Sequence, residues 1–137
     1  MKVHVGTDRR GVIHTVTTTV ATTADITQLP HLLHGEETTL HGDQAYYKTE
    51  DKQHWEQSGG RYLVNKRGHR TRATAAHHRA RSRIRSMVEH PFLVMKRLWG
   101  FTKVRYRGLR KNTTRVFALC ARTNLYRLRH RLLPQGT

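Results

Sequence analysis

Residues 1–23 read Met1-Lys2-Val3-His4-Val5-Gly6-Thr7-Asp8-Arg9-Arg10-Gly11-Val12-Ile13-His14-Thr15-Val16-Thr17-Thr18-Thr19-Val20-Ala21-Thr22-Thr23. Residues 2–7 alternate polar and apolar, the period of a half-buried strand, and Asp8-Arg9-Arg10-Gly11 supplies turn chemistry. From Val12 to Thr23, ten of twelve residues are β-branched, which crowds a helix and suits a pleated sheet. The chain therefore opens with a β-hairpin.

Beyond the hairpin the period changes. Asp25 with Gln28 three residues later resembles a capping box, and Ile26, Leu29, Leu32 and Leu33 mark a helical face that stops at Gly35. Pro30 keeps that helix short. A brief strand over 38–41 runs into Gly42-Asp43, a second helix is predicted over 48–57 before Gly59-Gly60, and 61–65 reads as a further strand. A basic loop follows at 66–72. From residue 73 to about 99 the pattern is helical, with Ile84, Val88, Phe92 and Met95 at spacings of four, four and three. Pro91 predicts a kink, or a new helix, just after Glu89. The last helix, about 113–133, sets Val116, Leu119, Cys120, Leu125, Leu128 and Leu132 among arginines, as a partly buried helix with a solvated basic face. Alternating strands and helices predict one α/β domain over 1–137, with a strand-rich part at 1–65 and a basic helical part at 66–137.

Charge divides along the same line. Residues 1–56 hold 5 Lys/Arg and 8 Asp/Glu, whereas residues 57–137 hold 21 Lys/Arg and a single acid, Glu89. The formal net charge is +17. Such self-repulsion serves no small neutral substrate and is relieved by a polyanion, so nucleic acid is the leading partner class. With 36% hydrophobic residues the chain has the means to fold and is no simple basic tail. The single Cys120 excludes an internal disulfide and a multi-cysteine zinc site and fits a reducing compartment. No run approaches the roughly 18 apolar residues of a membrane span and no signal-peptide core is present, which gives a cytoplasmic reading.

An Asp directly after a short strand and a Glu on a later helix suit a divalent cation, because Mg²⁺ favours carboxylate oxygens. Asp43 and Glu89 are the candidate ligands. For Glu89 an ordinary helical ion pair with Arg85, worth about 0.3 to 0.5 kcal/mol, stands beside that reading. Arg85, Glu89 and Lys96 fall at i, i+4 and i+11, on nearly one side of a helix. His31 with His34, and His77 with His78, have no third ligand at suitable spacing and read as solvent-facing. Cys120 reads as a small core residue, and core packing suits Trp55 and Trp99. Tyr106, between Arg105 and Arg107, has the stronger claim to stack on DNA.

Several segments together are similar to the bacterial DDE-type insertion-sequence transposases. Met1-Lys2-Val3-His4-Val5-Gly6-Thr7-Asp8 resembles the strand before a hairpin in that family. Leu33-His34-Gly35-Glu36-Glu37 and Gly42-Asp43-Gln44-Ala45-Tyr46 resemble the run into its second catalytic Asp. Arg85-Ser86-Met87-Val88-Glu89-His90-Pro91-Phe92, continuing to Lys96-Arg97, is similar to the segment with its catalytic Glu, and Lys103-Val104-Arg105-Tyr106-Arg107-Gly108-Leu109 with Lys111-Asn112 looks like its C-terminal region. The family pattern Y-x2-R-x3-E-x6-K matches Arg85, Glu89 and Lys96, with Ser82 at the tyrosine position.

The resemblance implies a partial ribonuclease H-like fold and Mg²⁺- or Mn²⁺-dependent cutting and joining of DNA. Asp43 and Glu89 would be catalytic metal ligands, and Arg85, Lys96, Arg97, Lys103, Arg105, Tyr106 and Arg107 would contact DNA. The family's first catalytic Asp, on a central strand, falls ahead of Met1. The expectation is therefore a chain inactive alone, with a sheet edge prone to association. The implied partners are the element's terminal inverted repeats, target DNA, a full-length transposase or a second copy, in a bacterial, nucleoid-associated setting. A non-enzymatic basic nucleic-acid-binding protein or regulator of a full-length transposase, and a decayed reading frame, are the other readings.

Overall fold

The hairpin forms where β-branched residues and a short turn coincide. In the computed structural model, which describes residues 1–64 and 75–133, β1 (Lys2–Thr7) pairs antiparallel with β2 (Ile13–Thr19), Val5 facing Val16 and Lys2 facing Thr19. Asp8 closes the turn, its Oδ1 accepting the amides of Arg10 at 2.8 Å and Val12 at 2.9 Å. Side chains are described for 1–64 and 83–133. The basic loop expected at 66–72, and the side chains of His77, His78 and Ser82, lie outside the described residues.

The chain divides into two units, Met1–Ala21 with Met87–Thr137, and Thr22–Ser86. The second unit opens with a 3-10 turn at Asp25–Gln28 that runs into α1 (Leu29–Leu32). Asp25 is not the cap there. Ala24 holds that place and no side chain caps the turn. Leu29 and Leu32 are buried, as the apolar spacing predicts, and Pro30 sits in the first turn, where its missing N–H costs nothing. Next come β3 (Thr39–Leu40), a 3-10 turn at Gln44–Tyr46, α2 (Thr49–Gln57) and β4 (Arg61–Tyr62). β3 and β4 pair in parallel, Thr39 with Arg61 and Leu40 with Tyr62. A parallel pair needs a crossover, and α2 supplies it.

In the first unit the hairpin packs on two long helices, α3 (Ala75–Trp99), whose earlier part belongs to the other unit, and α4 (Leu109–Leu132). Ile13, Met95, Val116, Leu119 and Cys120 form its core, with Val3, Val5, Val16, Phe92 and Trp99 packed against it. Cys120 is buried, which pushes its thiol up to about 11, out of nucleophile range at neutral pH. Asn124 ties α4 to the hairpin: its carboxamide accepts the Ile13 amide at 2.9 Å and donates to the Ile13 carbonyl at 2.7 Å.

Three details depart from the sequence reading. Pro91 starts no new helix, because α3 continues through it and its ring is fully buried. α4 begins at Leu109, four residues early. Its buried stripe ends on Thr123 rather than Leu125, which is 60% exposed. The class is mixed α/β, with two small sheets and four α-helices among the described residues. No helix among the described residues is long and apolar enough to cross a membrane.

Candidate functional site

Asp43 follows β3 by three residues and is exposed. It takes an extended conformation and caps the Gln44–Tyr46 turn: its Oδ1 accepts the Gln44 amide at 2.7 Å and its carbonyl accepts the Tyr46 amide at 2.9 Å. The far end of the turn is held from β4. The buried Tyr62 hydroxyl donates to the Tyr46 carbonyl at 2.9 Å and accepts the Lys48 amide at 3.3 Å. Burial, and then the nearby negative charges of Asp25 and Asp43, push the Tyr46 phenol up to about 12. The carboxylate thus has one oxygen fixed by backbone, at the carboxyl end of a parallel strand. Loops at such strand ends are where open α/β sheets gather ligands.

Glu89 is exposed on α3, with Arg85 one turn before it and Lys96 two turns after. Glu89 belongs to the unit with the hairpin and Asp43 to the Thr22–Ser86 unit. The turn around Glu89 is fastened by its neighbours. Pro91 has no N–H to offer the Met87 carbonyl four residues earlier. That carbonyl instead faces the hairpin turn, where a Cβ on Gly11, whose φ is +71, would meet it at 2.8 Å. His90 pairs through Nδ1 with Arg127 Nη1, and Arg127 Nη2 donates to the Arg10 carbonyl. Burial and the Arg127 charge lower the His90 pKa, in keeping with a ring nitrogen that accepts.

The cations expected to meet DNA divide in two. Lys96 and Arg97 are exposed in the last turn of α3, and Lys103, Arg105, Tyr106 and Arg107 are exposed on the loop that joins it to α4. Arg115 steadies that loop, with Nη1 3.3 Å from the Lys103 carbonyl and its guanidinium 5.6 Å from the Phe101 ring centroid. α4 then opens with Arg110 and Lys111 and no acid in its first turn, against the usual preference of a helix dipole, so the local field favours an anion. From Met87 to the C-terminus there are 12 Lys/Arg and one acid, Glu89. Three residues that shape this surface escaped the sequence reading as shaping groups: Asn112, Arg115 and Arg127. Only Asn112 carries a signal, as a polar residue of poor helix propensity at a buried position.

Trp99 packs against the core under the Arg122 guanidinium, 4.1 Å from its ring centroid, and Trp55 is half-buried. His31 and His34 are exposed. Among the described residues no three His, Cys, Asp or Glu side chains gather closely enough to hold a metal.

The family described as the transposase DDE domain matches residues 1–125. The chain belongs to the transposase DDE domain family. Asp43, Glu89, the basic end of α3 and the 103–108 loop all fall inside the matched span. Membership ties the chain to DNA transposition and to a family that generally uses a divalent metal. No solved structure matches the chain.

Proposed function

We propose that the chain is the DNA-gripping part of a transposase catalytic domain, contributing Asp43 and Glu89 to a divalent-metal site used for DNA cleavage and strand transfer. The observation that carries this reading is the position of Glu89. It is the only acid of residues 57–137, exposed on a helix within a strongly basic segment, and inside the span matched by the transposase DDE domain. Elsewhere in that segment carboxylates would repel a phosphate backbone. A lone carboxylate among those cations suits the binding of a divalent cation.

The donor chemistry fits Mg²⁺ or Mn²⁺. Both residues offer exposed carboxylate oxygens, and the Gln44 amide holds Asp43 by one oxygen, leaving the other for a cation. When bound, such metal ions activate the attacking hydroxyl or water and stabilise the leaving oxygen. The chain's other groups bind and orient. Arg85, Lys96 and Arg97 on α3, and Lys103, Arg105 and Arg107 on the following loop, hold the phosphodiester backbone, and Tyr106 lies against the nucleotides. The fold reading is a partial ribonuclease H-like arrangement, with terminal inverted repeats and target DNA as substrates and a full-length transposase or a second copy as protein partner.

Asp43 and Glu89 are two of the three carboxylates that the family resemblance implies, and a polypeptide of residues 1–137 by itself is expected to be inactive. Purified protein with Mg²⁺ or Mn²⁺ should neither nick nor join terminal-repeat DNA. Strand cleavage that is robust in the parent and abolished by Glu89→Ala would overturn the inactivity while confirming the residue.

A further inference from the structure

The 103–108 loop has almost no core of its own. Val104 is 50% exposed, Tyr106 46% and Leu109 39%, so burial of apolar side chains does not order it. Side-chain hydrogen bonds do: Arg115 holds the Lys103 carbonyl, and one residue holds the rest. Asn112, 5% exposed in the first turns of α4, uses its whole hydrogen-bonding capacity on the loop backbone. Its Oδ1 accepts the amides of Arg105 at 3.2 Å and Tyr106 at 3.1 Å, and its Nδ2 donates to the carbonyls of Tyr106 at 2.6 Å and Gly108 at 2.8 Å. Only a carboxamide of this length does both. An aspartate would face two carbonyls without a donor, and a glutamine carries an extra methylene.

The Gly108 contact runs from Nδ2 to a carbonyl and caps none of the free N–H groups that open the helix. The three bonds to residues 105 and 106 lie beyond the helix and set the direction in which Arg105, Tyr106 and Arg107 leave the backbone. Gly108 completes the arrangement with φ +87, a conformation that turns its carbonyl to Asn112 and that side chains rarely adopt. Within residues 103–111 there are five cations, Lys103, Arg105, Arg107, Arg110 and Lys111, all exposed, and no acid.

We infer that Asn112 is a positioning residue that fixes the 103–108 loop in the shape that grips the phosphate backbone of duplex DNA. The inference rests on the DNA-binding reading above and names the part of the surface that is preformed. Ordering the guanidinium groups beforehand spares that cost on binding. The ligand is the backbone rather than a base sequence, because the loop offers clustered cations and no amide or carboxylate side chain aimed outward.

The test is a salt series of binding by the whole chain to a fluorescent duplex of arbitrary sequence. Variants are Asn112→Ala, Gly108→Ala, the pair Arg105→Ala with Arg107→Ala, and the triple variant that combines this pair with Asn112→Ala. Asn124→Ala is the comparison, since it removes a similar two-way carboxamide clamp at Ile13, away from the loop. Asn112→Ala is expected to weaken binding about tenfold and to make the salt slope shallower by about two. Gly108→Ala, where a Cβ meets nothing within 4 Å, should act the same way through the backbone alone, and it carries the test if Asn112→Ala does not fold. In the triple variant the losses should not add, because the arginines no longer act once the loop is released. Asn124→Ala should keep the parent slope. Losses that add fully, or slopes unchanged in both Asn112→Ala and Gly108→Ala, would overturn the inference while leaving DNA binding intact. A parent without salt-dependent binding would overturn both.

Discussion

Raising sodium chloride from about 50 to about 200 mM is expected to weaken the chain's hold on duplex DNA by about 10³- to 10⁴-fold. The magnitude follows from which cations are free to meet phosphate. In the hairpin unit, Arg115, Arg122, Arg127 and Arg129 are engaged with rings or carbonyls. Lys96, Arg97, Lys103, Arg105, Arg107, Arg110 and Lys111 are exposed. If these seven each displace a counterion, the slope of log affinity against log salt is about −6. A titration by fluorescence anisotropy measures it. A slope shallower than about −2 would mean that the basic surface is only a solvated one.

The second large effect is on stability. Met95 is fully buried at the junction of α3, α4 and the hairpin, among Ile13, Val116, Leu119 and Cys120. Met95→Ala removes its packing and leaves a cavity where three elements meet, at a cost of about 2 to 5 kcal/mol. Against a total stability of about 5 to 15 kcal/mol for a domain, that loss is severe. Urea unfolding followed by helical circular dichroism should show it as a large drop in midpoint. Leu125→Ala, at a leucine 60% exposed on α4, should move the midpoint little. Equal effects from the two would contradict the buried face assigned to α4.

The contrast between Met95 and Leu125 shows where sequence was informative. The hairpin was legible because its signals are local: alternation over Lys2–Thr7, β-branched residues through Ile13–Thr19, and an Asp that caps its own turn. The existence of α2 and α3 followed from period and composition. What failed depends on contacts distant in sequence. Pro91 starts no new helix within α3; its ring is buried, and the Met87 carbonyl, to which it offers no N–H, lies against Gly11 of the hairpin turn. α4 starts at Leu109 without a capping side chain, and Asn112 in its first turns binds the preceding loop. The buried stripe of α4 runs through Asn112, Val116, Leu119, Cys120 and Thr123, two of them polar, so a reading by apolar type chose Leu125 and Leu132 instead. The parallel pairing of β3 with β4 spans a whole crossover and has no local signature.

The site was legible to a different degree. Position and charge marked Asp43 and Glu89 as candidates, and the likeness to transposases gave them a chemistry. Tyr106 and the cations on either side of it are exposed, as the proposed contact with DNA requires. The support beneath them, Asn112 under the loop and Arg127 under the Glu89 turn, could be found only with the folded backbone in view.

The most direct test of the metal-ligand roles proposed for Asp43 and Glu89 is the affinity for terminal-repeat DNA with and without Mg²⁺ or Mn²⁺ at constant ionic strength. It is measured for the parent, Asp43→Ala and Glu89→Ala. The account predicts that the divalent ion tightens binding by the parent and that either substitution removes the gain while the salt slope stays. Binding that is steep in salt yet indifferent to divalent metal in all three proteins would contradict it and leave a non-enzymatic basic nucleic-acid-binding protein.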